Sequence, residues 1–374
     1  MSDKDTFNQL LEAMAASGPG LSDLLFIPGH PPTVNFCGRL HPFKGNFVDS
    51  VVEPQFTEQL ASVLLGGNEP LAADLRSTGS CDCAYALAGI ARFRVNIYRQ
   101  MGHLAIVMRK LPNRIPTLEQ LGLPPIFGEI VKERNGIVFV TGAAGMGKTT
   151  TVAAILNEIN RTEDIHIITL EDPIEYLHAP NRASFSQREL GKDFFSYAAG
   201  LRAALRQAPG VILVGEIRDR ETMDVALTAA ETGHSVFATL HTIDAGQSIN
   251  RILGLFDKAE ELLVRQRLAD TLRWVISQRL VNKIGGGLQL VTEVMGSNLR
   301  SREALLLGES DMRNLHEIIE SGGKAFGSHS FEQSLLKAYL TGLITEETAI
   351  RHSTHKNKIR QMLDHSRHLQ ERKS

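Results

Sequence analysis

The sequence predicts an α/β domain built on a parallel sheet, preceded by a smaller α+β domain. After about residue 126, short apolar runs alternate with helical segments, which is the pattern of a parallel sheet with crossover helices. Before residue 111, apolar runs alternate with Gly, Pro and Asn, as in a small α+β domain. Between the two, prolines cluster in residues 112–125, where missing amide donors and restricted backbones discourage regular structure.

These observations divide the 374-residue chain into four segments. The smaller domain occupies residues 1–111, the proline-rich linker 112–125 and the larger domain 126–350. Residues 351–374 are rich in His, Lys and Arg and poor in apolar residues. We therefore expect a basic tail, either a frayed helix or a flexible segment, that folding does not require.

Individual elements follow from the spacing of apolar residues. A first helix is predicted by apolar residues at helical spacing: Phe7, Leu10, Leu11 and Met14. A strand near residue 95 has alternating faces, one with Phe93, Val95 and Ile97 and the other with Arg92, Arg94 and Asn96. The larger domain has four predicted buried strands, at residues 137–141, 165–170, 211–215 and 235–240.

Composition and charge exclude several classes of protein. Apolar residues make up 43% and charged residues 22%, which is typical of a folded globular protein. The formal net charge of −2 gives no reason to expect a nucleic-acid partner. Residues 1–20 lack the features of a signal peptide, and no apolar run reaches the roughly 18 residues of a membrane span, so we expect a cytoplasmic protein. Cys37, Cys81 and Cys83 lack zinc-site spacing and are expected to be reduced thiols.

The strongest functional signal is the run GAAGMGKT at residues 142–149. It follows a predicted buried strand and opens a helix, which makes a chance glycine-rich turn the weaker interpretation. In such a loop the backbone amides face phosphates, Lys148 supplies a positive charge and the Thr149 hydroxyl binds Mg²⁺. The sequence therefore predicts ATP and Mg²⁺ as cofactors, bound by Gly142, Ala144, Gly145, Gly147, Lys148, Thr149 and Thr150.

Two acidic segments follow two of the predicted strands. Residues 171–175 read EDPIE and residues 215–219 read GEIRD. The carboxyl ends of parallel strands share one edge of the sheet, so these acids are expected to converge on the phosphates. Glu175 suits the orientation of an attacking water, and Glu216 suits a role at Mg²⁺. For Asp219 we prefer the structural alternative, an N-cap for the following helix.

Blocks spread from about residue 22 to about residue 348 resemble the PilT/PilU family of type IV pilus retraction ATPases, within the secretion ATPase superfamily. They include the Walker A run and the segments SDL at 22–24, RFRVN at 92–96, EDPIE at 171–175, QRE at 187–189, LRAALRQ at 201–207, ETGH at 231–234 and TLH at 239–241.

The resemblance implies a PAS-like amino-terminal domain, a RecA-like ATPase domain and a homohexameric motor that powers pilus retraction and twitching motility. It also implies a peripheral position at the cytoplasmic face of the inner membrane, with a pilus platform protein and a paralogous retraction ATPase as partners. By the same route Glu175 is the catalytic glutamate, Glu216 the Walker B acid and His241 the sensor of the γ-phosphate. Arg92 and Arg94 would approach the ATP phosphates.

Departures from the family pattern bear on two points. Residues 298–303 match the carboxy-terminal retraction motif only loosely, which leaves the direction of force open. Met101 stands where many relatives have an arginine, and residues 207–210 lack the acids common in this block, as in PilU. These two features point to one alternative, a PilU-like accessory ring component with little hydrolysis of its own. The other alternative is a type IV secretion ATPase of the DotB-like kind.

Overall fold

The structure is a computed structural model that describes residues 3–371, except 19, 37, 44–50, 311–313 and 324–326. It divides into two compact units. The first contains Met1–Ile115 with two later segments, Asp172–Leu177 and Glu189–Asp193, and the second contains the remainder. The proposed linker does not form a segment of its own in this division, because Leu118 and Leu123 pack against the core of the second unit.

The first unit is a six-stranded antiparallel sheet in the order β3-β2-β1-β6-β5-β4. Its strands are β1 (Leu21–Phe26), β2 (Thr33–Phe36), β3 (Arg39–Pro42), β4 (Ser80–Leu87), β5 (Ala91–Gln100) and β6 (His103–Leu111). Its helices are α1 (Asp3–Ala15), α2 (Pro54–Leu65) and α3 (Glu69–Thr78).

The core of the first unit lies between these helices and one face of the sheet. Phe93, Val95 and Ile97 of β5 are completely buried in it, while the arginine face of β5 is partly exposed. The predicted first helix and this strand are both confirmed. Cys81 and Cys83 are buried free thiols, and Cys37 lies outside the described residues.

The second unit is built on a seven-stranded sheet in the order β13-β12-β7-β11-β10-β8-β9. The four predicted strands are present and pair in parallel. The strands are β7 (Gly136–Thr141), β8 (His166–Glu171), β9 (Ser184–Glu189), β10 (Val211–Val214), β11 (Ser235–Leu240), β12 (Leu272–Asn282) and β13 (Leu288–Gly296). Every residue of β7, β10 and β11 is buried, as expected for a parallel sheet covered on both faces.

Helices surround this sheet and continue to the end of the described chain. They are α4 (Phe127–Ile130), α5 (Lys148–Thr162), α6 (Tyr197–Ala204), α7 (Arg220–Glu231), α8 (Ala245–Leu253), α9 (Glu261–Thr271), α10 (Leu299–Leu307), α11 (Leu315–Ser321), α12 (Phe331–Leu340), α13 (Glu346–His352) and α14 (Lys356–Glu371). None of the described helices has the length and apolar character needed to cross a membrane.

The prediction of a flexible tail is wrong for the residues after 350 that the structure describes. The segment belongs to α13 and α14, and Ile359 and Leu363 of α14 are completely buried in a cluster with Phe331 and Leu335 of α12. The two apolar residues stand four apart, so they lie on one helix face and form a narrow contact stripe. Because so few apolar residues make this contact, the segment is polar in composition even though it packs against α12.

Candidate nucleotide-binding site

The loop between β7 and α5 has a shape that glycine permits. Gly142, Gly145 and Gly147 have φ values of 147°, 77° and 80°, in the region that residues with a side chain rarely adopt. Space is also restricted, because a Cβ on Gly142 would lie 2.7 Å from the carbonyl oxygen of Gln278. Gly147 is the N-cap residue of α5, so the loop leads directly into the amino-terminal end of a helix, where the dipole favours anions.

Lys148 begins α5 and is buried against this loop. Its Nζ donates hydrogen bonds to the carbonyl oxygens of Gly142, at 2.7 Å, and Ala143, at 3.0 Å. Thr149 and Thr150 follow in the first turn of α5 and are partly buried, while Ala144 and Gly145 are exposed at the crest of the loop. The residues predicted to bind nucleotide thus form the end of a strand, a loop and the start of a helix, in one continuous segment. Such a segment presents backbone amides that suit the phosphates of ATP.

Strand β12 supports the loop from beneath. The Gln278 side-chain amide donates to the carbonyl oxygen of Met146 at 2.6 Å. The Thr141 hydroxyl donates to Ser277 Oγ at 2.9 Å, and both groups are buried. These residues were not predicted from the sequence because β12 was not assigned, although the apolar residues at 272, 274–276 and 280–281 were a signal for that strand.

Two further predicted residues lie together at the ends of neighbouring strands. Glu216 follows β10 and His241 follows β11, and His241 Nε2 is 3.2 Å from Glu216 Oε2. Arg218 forms an ion pair with the other carboxylate oxygen of Glu216. A carboxylate and an imidazole at the carboxyl end of a parallel sheet are suited to a cation and a phosphate group. Asp219 caps α7 by accepting from the Thr222 amide at 2.8 Å, which confirms its structural role.

The acids after β8 are in different environments. Glu171 is buried in the second unit and accepts hydrogen bonds from the Thr169 hydroxyl at 2.6 Å and the Gln187 amide at 3.3 Å. Glu175 belongs to the first unit and is partly exposed. The two carboxylates therefore differ in setting: hydrogen bonds hold Glu171 at a buried position of the second unit, whereas Glu175 is partly exposed in the first.

Arg92 and Arg94 also belong to the first unit, on the partly exposed face of β5. Arg92 Nη2 donates to the carbonyl oxygen of Ile174 at 2.9 Å, and Nη1 reaches the carbonyl oxygen of Glu175 at 3.5 Å. Arg94 Nε lies 3.9 Å from a carboxylate oxygen of Asp82. The structure therefore brings Arg92 to the backbone of Glu175, and assigns these residues to a different unit from the phosphate loop.

Comparison with known proteins agrees with this geometry. The family model for type II/IV secretion system proteins matches residues 86–304, which is more than half of the chain. The retraction ATPase PilT of Pseudomonas aeruginosa is 37% identical over 331 residues, covering 88% of this chain and 93% of PilT. The pilus ATPase PilU of the same organism is 36% identical over 361 residues, covering 96% and 91%.

Solved structures give the same result. A crystal structure of the pilus retraction motor PilT with bound ADP matches with a TM-score of 0.84 and 36% identity, covering 96% of this chain and 98% of that one. The DotB ATPase of Legionella pneumophila matches with a TM-score of 0.78 and 28% identity, covering 92% and 94%. These matches confirm the family resemblance and the predicted fold, an ATPase domain preceded by a smaller amino-terminal domain. The chain belongs to the type II/IV secretion system protein family, and it is an ATPase.

Proposed function

We propose that this chain is an ATP-hydrolysing motor that powers type IV pilus retraction and so twitching motility. The observation that carries the proposal is the match to PilT, which extends over nearly the full length of both chains in sequence and in fold. A twitching motility protein of Neisseria gonorrhoeae, 41% identical over 271 residues, supports the same function. The intact phosphate loop supplies the chemistry that such a motor needs.

In this function the second unit binds the nucleotide. The amides of residues 142–150 and the Lys148 ammonium hold the phosphates, and the Thr149 hydroxyl with the Glu216 carboxylate hold Mg²⁺. Bound Mg²⁺ neutralises charge on the phosphate oxygens. His241 responds to the γ-phosphate in this proposal, and the support for its role is its Nε2 atom, 3.2 Å from Glu216 Oε2.

The first unit supplies the residues that act on the rate. Glu175 orients and deprotonates the attacking water, as its partial exposure permits. Arg92 and Arg94 stabilise the charge that develops on the γ-phosphate during transfer. The contacts of Arg92 with the carbonyl oxygens of Ile174 and Glu175 hold one arginine beside the proposed base.

The working assembly is a homohexamer at the cytoplasmic face of the inner membrane, where it acts on the pilus platform protein, alone or with a paralogous retraction ATPase. A single chain would release the platform protein each time its domains opened. A ring avoids this, because the other subunits stay bound while one opens and closes. Phosphate release per chain should rise with protein concentration as rings form. A dilution series with light-scattering mass measures this, and a monomer as active per chain as the assembly would exclude the ring.

The test of function uses a piliated host whose own retraction ATPase gene is deleted. The wild-type chain should restore twitching and the retraction of labelled pili, while the Lys148→Ala chain, expressed at the same level, should restore neither. A chain that hydrolyses ATP in the purified state but leaves pili extended, even with the paralogue present, would contradict the proposal.

The similarity to DotB favours one second candidate, an ATPase that powers effector export. The discriminating experiment expresses the chain in a secretion-competent host that lacks DotB and follows a reporter effector. Export restored without any effect on pili would favour this candidate. The accessory-ring alternative predicts instead that the purified chain hydrolyses ATP only when the paralogue is added.

A further inference from the structure

Three potential metal ligands meet among the carboxy-terminal helices of the second unit. His316 and Glu320 stand four residues apart on α11 and so share one helix face, and Glu332 lies on α12. His316 Nε2 is 3.3 Å from Glu320 Oε1 and 3.8 Å from Glu332 Oε2. All three ligand atoms lie within 4.8 Å of one another.

Glu332 is a completely buried carboxylate with two unlike oxygens. Oε1 accepts hydrogen bonds from the Ser353 hydroxyl at 2.8 Å, the Thr354 amide at 3.0 Å and the His355 amide at 2.9 Å. Oε2 points toward His316 and makes no hydrogen bond to any residue that the structure describes. A buried carboxylate oxygen without a donor among the described residues is uncommon in folded proteins, and a bound cation would satisfy it.

His316 offers an imidazole nitrogen at this position, with Nε2 turned toward both carboxylates. Its Nε2 atom is buried and, within the described ranges, has no hydrogen-bond partner.

We propose that His316, Glu320 and Glu332 bind one divalent transition-metal ion of the zinc class. One imidazole nitrogen and two carboxylate oxygens are a donor set that such ions accept, with water completing the coordination. Ligand atoms about 2.0–2.1 Å from a tetrahedral Zn²⁺ lie about 3.3–3.4 Å apart. The distance from His316 to Glu320 already matches this value, and the distance to Glu332 needs a shift of a few tenths of an ångström.

The contacts of Glu320 and Glu332 with the neighbouring helices indicate that the ion would stabilise the packing of those helices. Glu320 also forms an ion pair with Lys358 of α14 and accepts from the Ser330 hydroxyl at 3.1 Å. Because Glu332 binds the amides that precede α14, an ion on its other oxygen ties α11, α12 and α14 to one point. The Lys358 ammonium competes with the ion for Glu320, so Lys358→Met should tighten metal binding.

The test titrates Zn²⁺ into the full-length, chelator-treated and nucleotide-free protein against a chromophoric chelator, with bound metal counted by mass spectrometry. The wild-type chain should bind one Zn²⁺ that His316→Gln and Glu320→Gln weaken by roughly tenfold or more. Co²⁺ substitution should give visible absorption that is lost in His316→Gln. The matched control is Glu317→Gln, an exposed acid on the same helix, which should leave both signals unchanged.

Variants of the two partly exposed ligands, His316 and Glu320, allow metal binding to be tested without loss of folding. Glu332→Gln removes a buried carboxylate that holds three donors, and it can fail to fold for that reason alone. His316 and Glu320 keep some exposure, so their variants should fold, as circular dichroism can verify without metal. Zn²⁺ affinity and stoichiometry that stay the same in His316→Gln would overturn the proposal, and so would the absence of tight Zn²⁺ binding to the wild-type chain.

Discussion

The two groups of candidate catalytic residues are held by different means. In the second unit the backbone itself forms the phosphate loop, through glycines with positive φ and a packed neighbouring strand. In the first unit Arg92, Arg94 and Glu175 are partly exposed side chains on a strand and a connecting segment. A loop whose backbone binds a ligand does so in every state of the cycle, whereas side chains that engage only during transfer act mainly in the transition state. Substitutions in the two regions should therefore fail in different ways.

The largest effect is expected at Lys148, because it is the buried charge of the phosphate loop. Lys148→Ala should lose nucleotide affinity and turnover together, with phosphate release at background. Titration with a fluorescent ATP analogue beside a phosphate-release assay measures both quantities. Lys132→Ala, which removes an exposed lysine of the same unit, is the control and should behave like the wild type.

Substitution of the paired arginines of the first unit should lower turnover without changing ATP affinity. Replacing Arg92 and Arg94 with alanine should leave ATP affinity close to normal and lower kcat by about a thousandfold, the lower end of what an arginine contributes at a transferring phosphate. Arg99→Ala, an exposed arginine on the same strand, is the matched control. An affinity loss as large as the loss of kcat would show that the arginines belong to the binding cradle, and the distinction between the regions would disappear.

Glu175→Gln tests the proposed base. It should keep ATP binding and lower kcat by roughly a hundredfold, because the amide keeps the shape of the carboxylate but cannot accept the proton. Glu171→Gln is the informative partner variant, since Glu171 already accepts two hydrogen bonds at a buried position. Near-normal turnover in Glu175→Gln together with a large loss in Glu171→Gln would transfer the catalytic role to Glu171.

Gln278 tests how much the support of the phosphate loop contributes to ATP binding. Its amide donates to the Met146 carbonyl at 2.6 Å from a buried position on β12. A hydrogen bond of this kind contributes about 0.5–1.5 kcal/mol, so Gln278→Ala should weaken ATP binding by about two- to tenfold with kcat nearly unchanged. Gln289→Ala on β13 is the control. A change in kcat alone would show that the loop affects chemistry rather than binding.

The strand, loop and helix start around residues 142–149 could be predicted from the sequence because their signals are local. Glycines, a lysine and a threonine stand at the junction of a strand and a helix, so backbone geometry and chemistry can be read from eight consecutive residues. The contact of Arg92 with residues 174 and 175 joins positions more than eighty apart in the chain, and no local pattern contains it. The support from Gln278 was missed for the same reason. Among His316, Glu320 and Glu332, the i, i+4 pair was visible in the sequence, but the third ligand came close only in the fold.

The smallest effect on turnover is expected where the sequence analysis was wrong, in α14. Ile359 is completely buried against α12, so Ile359→Ala leaves a cavity and should lower the free energy of unfolding by about 2–5 kcal/mol. Leu262→Ala is the control, since Leu262 is 72% exposed and its removal creates no cavity. Because Ile359 is not among the proposed site residues, kcat per folded chain should remain normal. Denaturant unfolding and phosphate release on the same samples measure the two quantities. A stability equal to that of the wild type would mean that α14 is undocked in solution, as the polar composition of the segment first suggested.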